Sequence, residues 1–211
     1  MNKPATTQYE IHKLLKERWS PRAFSSRPVE HEKLMRLFEA ARWSPSAANI
    51  QPWSFIVVTK ENPELHQKFV ELLSGRNPDW AANAPVLVVA VAKLNQERPA
   101  LNKYAYYDLG QAVSHLTVEA THAGLHVHQM GGFDSEKARE LFEIPQGYEP
   151  VTVMALGYFG RAEDLPEDLL ERERLPRTRK PLNEFVFNGH WAYPLETGIN
   201  DNGGNELPLS A

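Results

Sequence analysis

Residues 86–92 read "VLVVAVA", an unbroken apolar run opened by Pro85. A strand with one wet face alternates apolar and polar residues, and this run has no polar position to turn outward. It is read as a central strand buried on both faces, which requires layers of helix on either side. The flanking sequence supplies them. "HEKLMRLFEAARW" (31–43) repeats apolar residues at Leu34, Leu37, Phe38 and Ala41, one helical face ending before Pro45. "YAYYDLGQAVSHLTVEATHAGL" (104–125) is the longest such pattern, with Gly124 as its stop.

Local rules give further elements. "TTQYEIHKLLKERW" (6–19) spaces Tyr9, Ile11, Leu14 and Leu15 as a helix, with Thr6 or Thr7 as cap. "SFIVVT" (54–59) reads as a buried strand, after which Asn62 caps a helix with Pro63 in its first position. "HVHQMGGFD" (126–134) is a strand ending in two glycines, with Asp134 capping the next helix; "VTVMALGYFG" (151–160) is another buried strand. With no linker or repeat before residue 189, the chain reads as one α+β domain over 1–189. Beyond the charged helix near 167–174, "PRTRKPLNEFVF" (176–187) is a proline-punctuated arm of the kind that embraces a partner chain. Residues 190–211, rich in Gly and Asn, read as a flexible tail.

Composition removes whole classes of chemistry. The 211 residues hold no cysteine, so disulfides, thiolate nucleophiles, zinc–thiolate sites and Cys-ligated clusters are excluded. Lys+Arg 23 against Asp+Glu 27 gives a net charge of -4, without the broad basic footprint of a nucleic-acid binder. The N-terminus lacks a secretory apolar core and no run approaches the ~20 residues that span a bilayer, so the expectation is a cytoplasmic protein. His122, His126 and His128 invite a metal reading, but Gly124 interrupts them and no carboxylate completes the set, so no metal is expected.

Chemistry concentrates in four places. In "RWSPRAF" (18–24), Arg18, Ser20 and Arg22 are two apart, and on an extended chain they face one way with two guanidinium forks and a hydroxyl. That suits a phosphate; it also suits a solvated edge strand. "RTRK" (177–180) adds Arg177 and Arg179, so two arginine pairs are available to one dianion. The loop "SPSAANIQPW" (44–53) offers neutral hydrogen bonds, or is an ordinary turn. Gly131 and Gly132 let a flat ring approach the backbone, or form a simple bend. Together, a phosphate, a polyol and a flat polar ring describe flavin mononucleotide (FMN).

In this order the motifs resemble the FMN-dependent nitroreductase family over nearly all of residues 9–186. The resemblance implies a central, mostly antiparallel sheet wrapped by helices, with "NEFVF" (183–187) crossing onto the partner in a homodimer. It also implies that Arg18 reaches the FMN phosphate, Ser20 the ribityl–phosphate region and Arg22 the pyrimidine edge, with Trp19 between them. Arg177 and Arg179 would complete the phosphate clamp. Pro45, Ser46, Ala47, Asn49 and Gln51 would reach FMN from the other subunit, and the backbone at Met130, Gly131 and Gly132 would face flavin N5. Ala47 replaces a serine common in relatives, and Arg76 or Asn77 stand where many relatives touch the flavin. The implied activity is ping-pong hydride transfer from NADH or NADPH through flavin N5 to a nitroaromatic, quinone or similar acceptor, with no catalytic side chain. A non-catalytic flavin-binding or redox-sensing protein stays open, as does the same fold used for reductive dehalogenation or desaturation.

Overall fold

Four strands form one sheet: β1 (Trp53–Thr59), β2 (Val86–Lys93), β3 (His126–Met130) and β4 (Tyr148–Gly157). Their order is β1-β2-β4-β3, with each neighbouring pair antiparallel. The computed structural model describes residues 3–95 and 97–196. The chain divides into two compact units, Met1–Leu175 and Pro176–Ala211, and the sheet belongs to the first. Its helices are α1 (Lys13–Glu17), α2 (His31–Arg42), α3 (Pro63–Val70), α4 (Pro78–Ala81), α5 (Asn102–His122), α6 (Ser135–Leu141) and α7 (Glu167–Arg174). Among the described residues no helix is long and apolar enough to cross a membrane.

β2 sits between β1 and β4 and is buried from Val86 to Ala92, as its unbroken apolar run demands. Because strand side chains alternate, β2 feeds two cores. Val86, Val88, Ala90 and Ala92 face α2 and α5, packing with Leu37, Leu109, Ala112 and Leu116. Leu87, Val89 and Val91 face the other way, onto Phe69, Trp80, Leu169 and the segment Ala23–Phe24. Pro150 fits inside β4 because the register shifts opposite Ala90 and Val91, a bulge where a missing N–H is tolerated.

The expected caps are present. Asn62 Oδ1 accepts from the Leu65 N–H at 3.1 Å, and Asp134 Oδ1 from the Lys137 N–H at 3.0 Å. Gly124, at φ +74°, ends α5 while the Leu125 N–H donates back to the Ala120 carbonyl at 2.8 Å.

Two expectations change. β1, read as buried, is an edge strand with Val57 37% exposed, because it pairs with β2 alone. The N-terminal helix starts only at Lys13, capped by His12 rather than Thr6 or Thr7. Tyr9, Ile11 and Leu15 stay exposed, so no buried stripe offsets the cost of nucleating those extra turns.

In the second unit Leu182–Glu184 makes one 3-10 turn. The chain then folds back: Asn188 N–H donates to the Tyr193 carbonyl at 2.7 Å and Leu195 N–H to Val186 at 3.0 Å. The "NEFVF" arm lies in this unit; of the expected tail, residues 197–211 lie outside the described residues.

The segment after β4 is stitched to "RWSPRAF". Gly160 N–H donates to the Ala23 carbonyl at 2.8 Å, and a Cβ at Gly160 would stand 2.7 Å from the Phe24 carbonyl carbon and oxygen. Gly160→Ala is therefore expected to lower stability by about 1–3 kcal/mol, since backbone must move to admit the methyl. Urea unfolding measures it; an unchanged midpoint counts against this packing.

Candidate functional site

Arg18 leaves α1 with φ −58° and ψ 123°, and the chain runs on extended. Trp19, Pro21 and Ala23 turn inward and are buried, while Arg18, Ser20 and Arg22 are half-buried on the other side. The two-residue period read from sequence is thus the period of this segment. Arg18 Nη1 donates to Ser20 Oγ at 3.1 Å, so those two polar groups do share a side.

Three groups pin the segment to the first unit. The His128 Nδ1 lies 2.8 Å from the Pro21 carbonyl, which can only accept, so Nδ1 carries the proton. His126, two residues earlier on the same face of β3, meets the Trp19 ring edge-on, ring centroids 5.8 Å apart. Glu173 of α7, 1% exposed, accepts at Oε1 from the Arg22 N–H (2.9 Å) and the Ala23 N–H (3.5 Å). Its Oε2 stands 3.6 Å from Arg22 Nη1. Lys3 donates to the Glu173 carbonyl and places its ammonium 5.2 Å over the Trp19 ring.

Burial sets the imidazole chemistry. Desolvation pushes His128 down to about 4, reinforced by the charges of Arg22 and Arg18 and opposed by its bonds to Pro21 and Ser20. His126 is also pushed down by burial. Both are neutral near pH 7, and His128 rests against Trp80, ring centroids 4.4 Å apart. Among the described residues no group of three His, Asp or Glu is placed to hold a metal.

β3 carries this row toward the glycines. From His128 to Gly131 is three residues, ~10 Å of extended chain. Gly131 is exposed, with nothing within 4 Å of where its Cβ would be. A Cβ on Gly132 would instead meet Asn77 Nδ2 at 2.9 Å and Ser74 Oγ at 3.0 Å. Asn77 Nδ2 and the Ser74 N–H both donate to the Gly132 carbonyl, at 3.2 and 3.0 Å. Among the described residues, neither glycine N–H has a hydrogen-bond acceptor. Met130 is buried in the core, so its side chain is not presented outward. Arg76 is engaged elsewhere, paired with Asp79 and Asp168.

The loop after α2 is held by α5, on the opposite face of the sheet. Asp108, 4% exposed, accepts the Ala47 N–H at 3.0 Å, and Ser44 Oγ shares a 2.8 Å hydrogen bond with His115 Nδ1. Ser46 Oγ accepts the Gln51 N–H at 2.9 Å, and Gln51 Nε2 donates to Asn49. Ala48 and Gln51 sit at φ 50° and 52°, left-handed conformations costly without glycine, and Asn49 at 55°, which asparagine tolerates. Pro45, Asn49 and Gln51 are exposed; Ser46 and Ala47 are half-buried. Arg177 (half-buried) and Arg179 (exposed) belong to the second unit, where Arg179 Nη1 donates to the Thr178 carbonyl at 2.7 Å.

The structure thus brings the segment of Arg18, Trp19, Ser20 and Arg22 onto β3 at His126 and His128, a few residues before Met130–Gly132, and mounts residues 45–51 separately. A cavity of ≈ 550 Å³ lined by Lys68, Leu72 and Lys137 and one of ≈ 340 Å³ lined by Phe24, Asn83 and Arg161 include none of the candidate residues. Sequence reasoning missed Glu173 and Asp108. Both carried a signal: each is a carboxylate in register with buried apolar residues, Glu173 four after Leu169 and Asp108 four before Ala112.

Residues 15–158 match the sequence model of the nitroreductase family. The chain belongs to that family. A solved structure described as an oxidoreductase containing FMN superposes with a TM-score of 0.79 at 34% identity, covering 88% of this chain and 95% of its own. An uncharacterized 15.4 kDa protein of Mycolicibacterium smegmatis is 40% identical over 124 residues, 59% of this chain and 82% of its own length. A putative NADH dehydrogenase/NAD(P)H nitroreductase of Archaeoglobus fulgidus is 29% identical over 180 residues, 81% of this chain and 98% of its own. The nitroreductase fold with its antiparallel sheet is therefore the one expected from sequence.

Acid should weaken the pin at β3. The unfolded chain binds a proton at His128 near its ordinary 6.5, the folded chain only near 4, so stability falls as pH drops through that window. The loss is about 2–3 kcal/mol by pH 4.5. His128→Gln, which keeps a donor but does not titrate, should lose correspondingly less; equal losses in urea titrations at pH 7 and 4.5 would contradict the neutral imidazole.

Proposed function

We propose that this chain is an FMN-dependent NAD(P)H oxidoreductase working as a homodimer, with residues 1–189 forming its flavin-binding domain. One observation carries the reading: a row of guanidinium, hydroxyl and guanidinium, pinned along β3, leads to two adjacent N–H groups without an acceptor among the described residues. That donor set fits FMN. Arg18 and Ser20 suit the phosphate and its ribityl neighbour, Arg22 the pyrimidine edge, and the Gly131–Gly132 N–H groups the acceptor N5 of a ring passing over open glycine. Bound FMN supplies hydride transfer, taking two electrons from NADH or NADPH and delivering them to a small acceptor such as a nitroaromatic or quinone.

The chain's residues bind, orient and tune. Arg22 places positive charge beside the ring edge where negative charge develops on reduction. The loop 45–51, mounted on α5 across the sheet from the arginine row, suits a role in the partner's site. Arg177 and Arg179, on the arm, are two further guanidinium groups suited to a phosphate. The free outer edge of β1 suits an incoming strand such as "NEFVF", and Trp43 and Tyr107, 73% and 67% exposed, offer apolar area for the pairing. The names of the relatives, FMN for one and NAD(P)H oxidoreduction for the other, support the same assignment.

The test is the visible spectrum of the purified protein, with release and identification of its chromophore. About one FMN per chain is expected, with NAD(P)H oxidation when a nitroaromatic or quinone is added. Flavin without turnover on any acceptor would favour a binding or sensing role, and protein that stays colourless with added FMN refutes the reading. Arg18→Ala should remove a charge-assisted contact of about 1.5–3 kcal/mol, weakening FMN binding roughly 10- to 150-fold in a fluorescence titration.

A further inference from the structure

Glu173 is a carboxylate buried beneath the arginine row of a proposed anion site. It sits on α7 one turn after Leu169, and both side chains are 1% exposed. A buried carboxylate needs partners, and all of its described ones lie in the segment it underlies: the N–H groups of Arg22 and Ala23 and the Arg22 guanidinium. Its negative charge stands 3.6 Å from the Arg22 guanidinium, the one assigned to the ring edge.

We propose that Glu173 is a positioning residue that fixes the backbone at Arg22–Ala23 and attenuates the charge Arg22 presents to the flavin. This rests on the FMN reading above. A pin for backbone N–H groups needs only an oxygen; offsetting the guanidinium needs the charge. Glu173→Gln separates the two, because an amide of the same size still accepts from both N–H groups. Reduced flavin bears more negative charge than oxidised flavin, so an unmasked Arg22 stabilises the reduced form more.

The experiment is spectroelectrochemical titration of FMN-loaded wild-type and Glu173→Gln protein, with FMN dissociation constants measured in both redox states. In the variant the ratio of oxidised to reduced dissociation constants should rise about tenfold, equivalent to a two-electron midpoint about 30 mV more positive. In an Arg22→Gln background the same substitution should leave the midpoint unmoved. A wild-type midpoint in Glu173→Gln, with FMN bound, overturns the charge role and leaves the FMN reading standing. A shift that survives Arg22→Gln overturns the route through Arg22. If Glu173→Gln does not fold, Glu173→Asp, which withdraws the charge by one methylene, should shift the midpoint the same way, and no shift overturns the proposal. Wild-type protein that takes up no FMN ends both readings.

Discussion

Everything at the site depends on how an extended, non-strand segment is fastened to a sheet. From Arg18 to Phe24 the chain is not a member of the four-stranded ladder, yet its backbone polar groups cannot be left without partners where the segment is buried. Side chains answer for the missing ladder. His128 on β3 donates to the Pro21 carbonyl, a carboxylate on α7 accepts the Arg22 and Ala23 N–H groups, and Gly160 after β4 donates to the Ala23 carbonyl. These bonds hold the segment with Trp19, Pro21 and Ala23 turned inward and with Arg18, Ser20 and Arg22 half-buried on the other side.

This fastening explains residues whose identity otherwise looks arbitrary. His126 and His128 stand two apart on one face of β3, where His126 meets the Trp19 ring edge-on and His128 reaches the Pro21 carbonyl. Their burial favours the neutral form, which places no third positive charge beside two arginines. Trp19 and Ala23 turn to the inner side and are buried, while Arg18, Ser20 and Arg22 alternate with them on the other side.

Local periodicity and local capping were open to reading from the sequence. β2, α2, α5 and the caps at Asn62 and Asp134 were legible because each is written in consecutive residues. The exposure of β1 was not, since a β-branched run does not report whether it lies inside a sheet or at its edge. Nor was the short start of α1: Tyr9, Ile11 and Leu15 have helical spacing, yet all three stay exposed. At the site, Arg18, Ser20 and Arg22 announced themselves by spacing. Glu173 and Asp108 act across 151 and 61 residues, and such pairings are fixed by the fold. Gly132 was legible as a glycine but for a different neighbour: Asn77 and Ser74 crowd it, while the openness belongs to Gly131.

The left-handed residues of the 48–51 loop bear on affinity as well as shape. Most non-glycine residues prefer other conformations by about 1–2 kcal/mol, and at Ala48 and Gln51 that cost is offset by the hydrogen bonds that Asp108, Ser46 and Gln51 make within the loop. The ordering is completed when the chain folds. A molecule arriving against this loop meets a rigid template and loses none of its binding energy to freezing a mobile one.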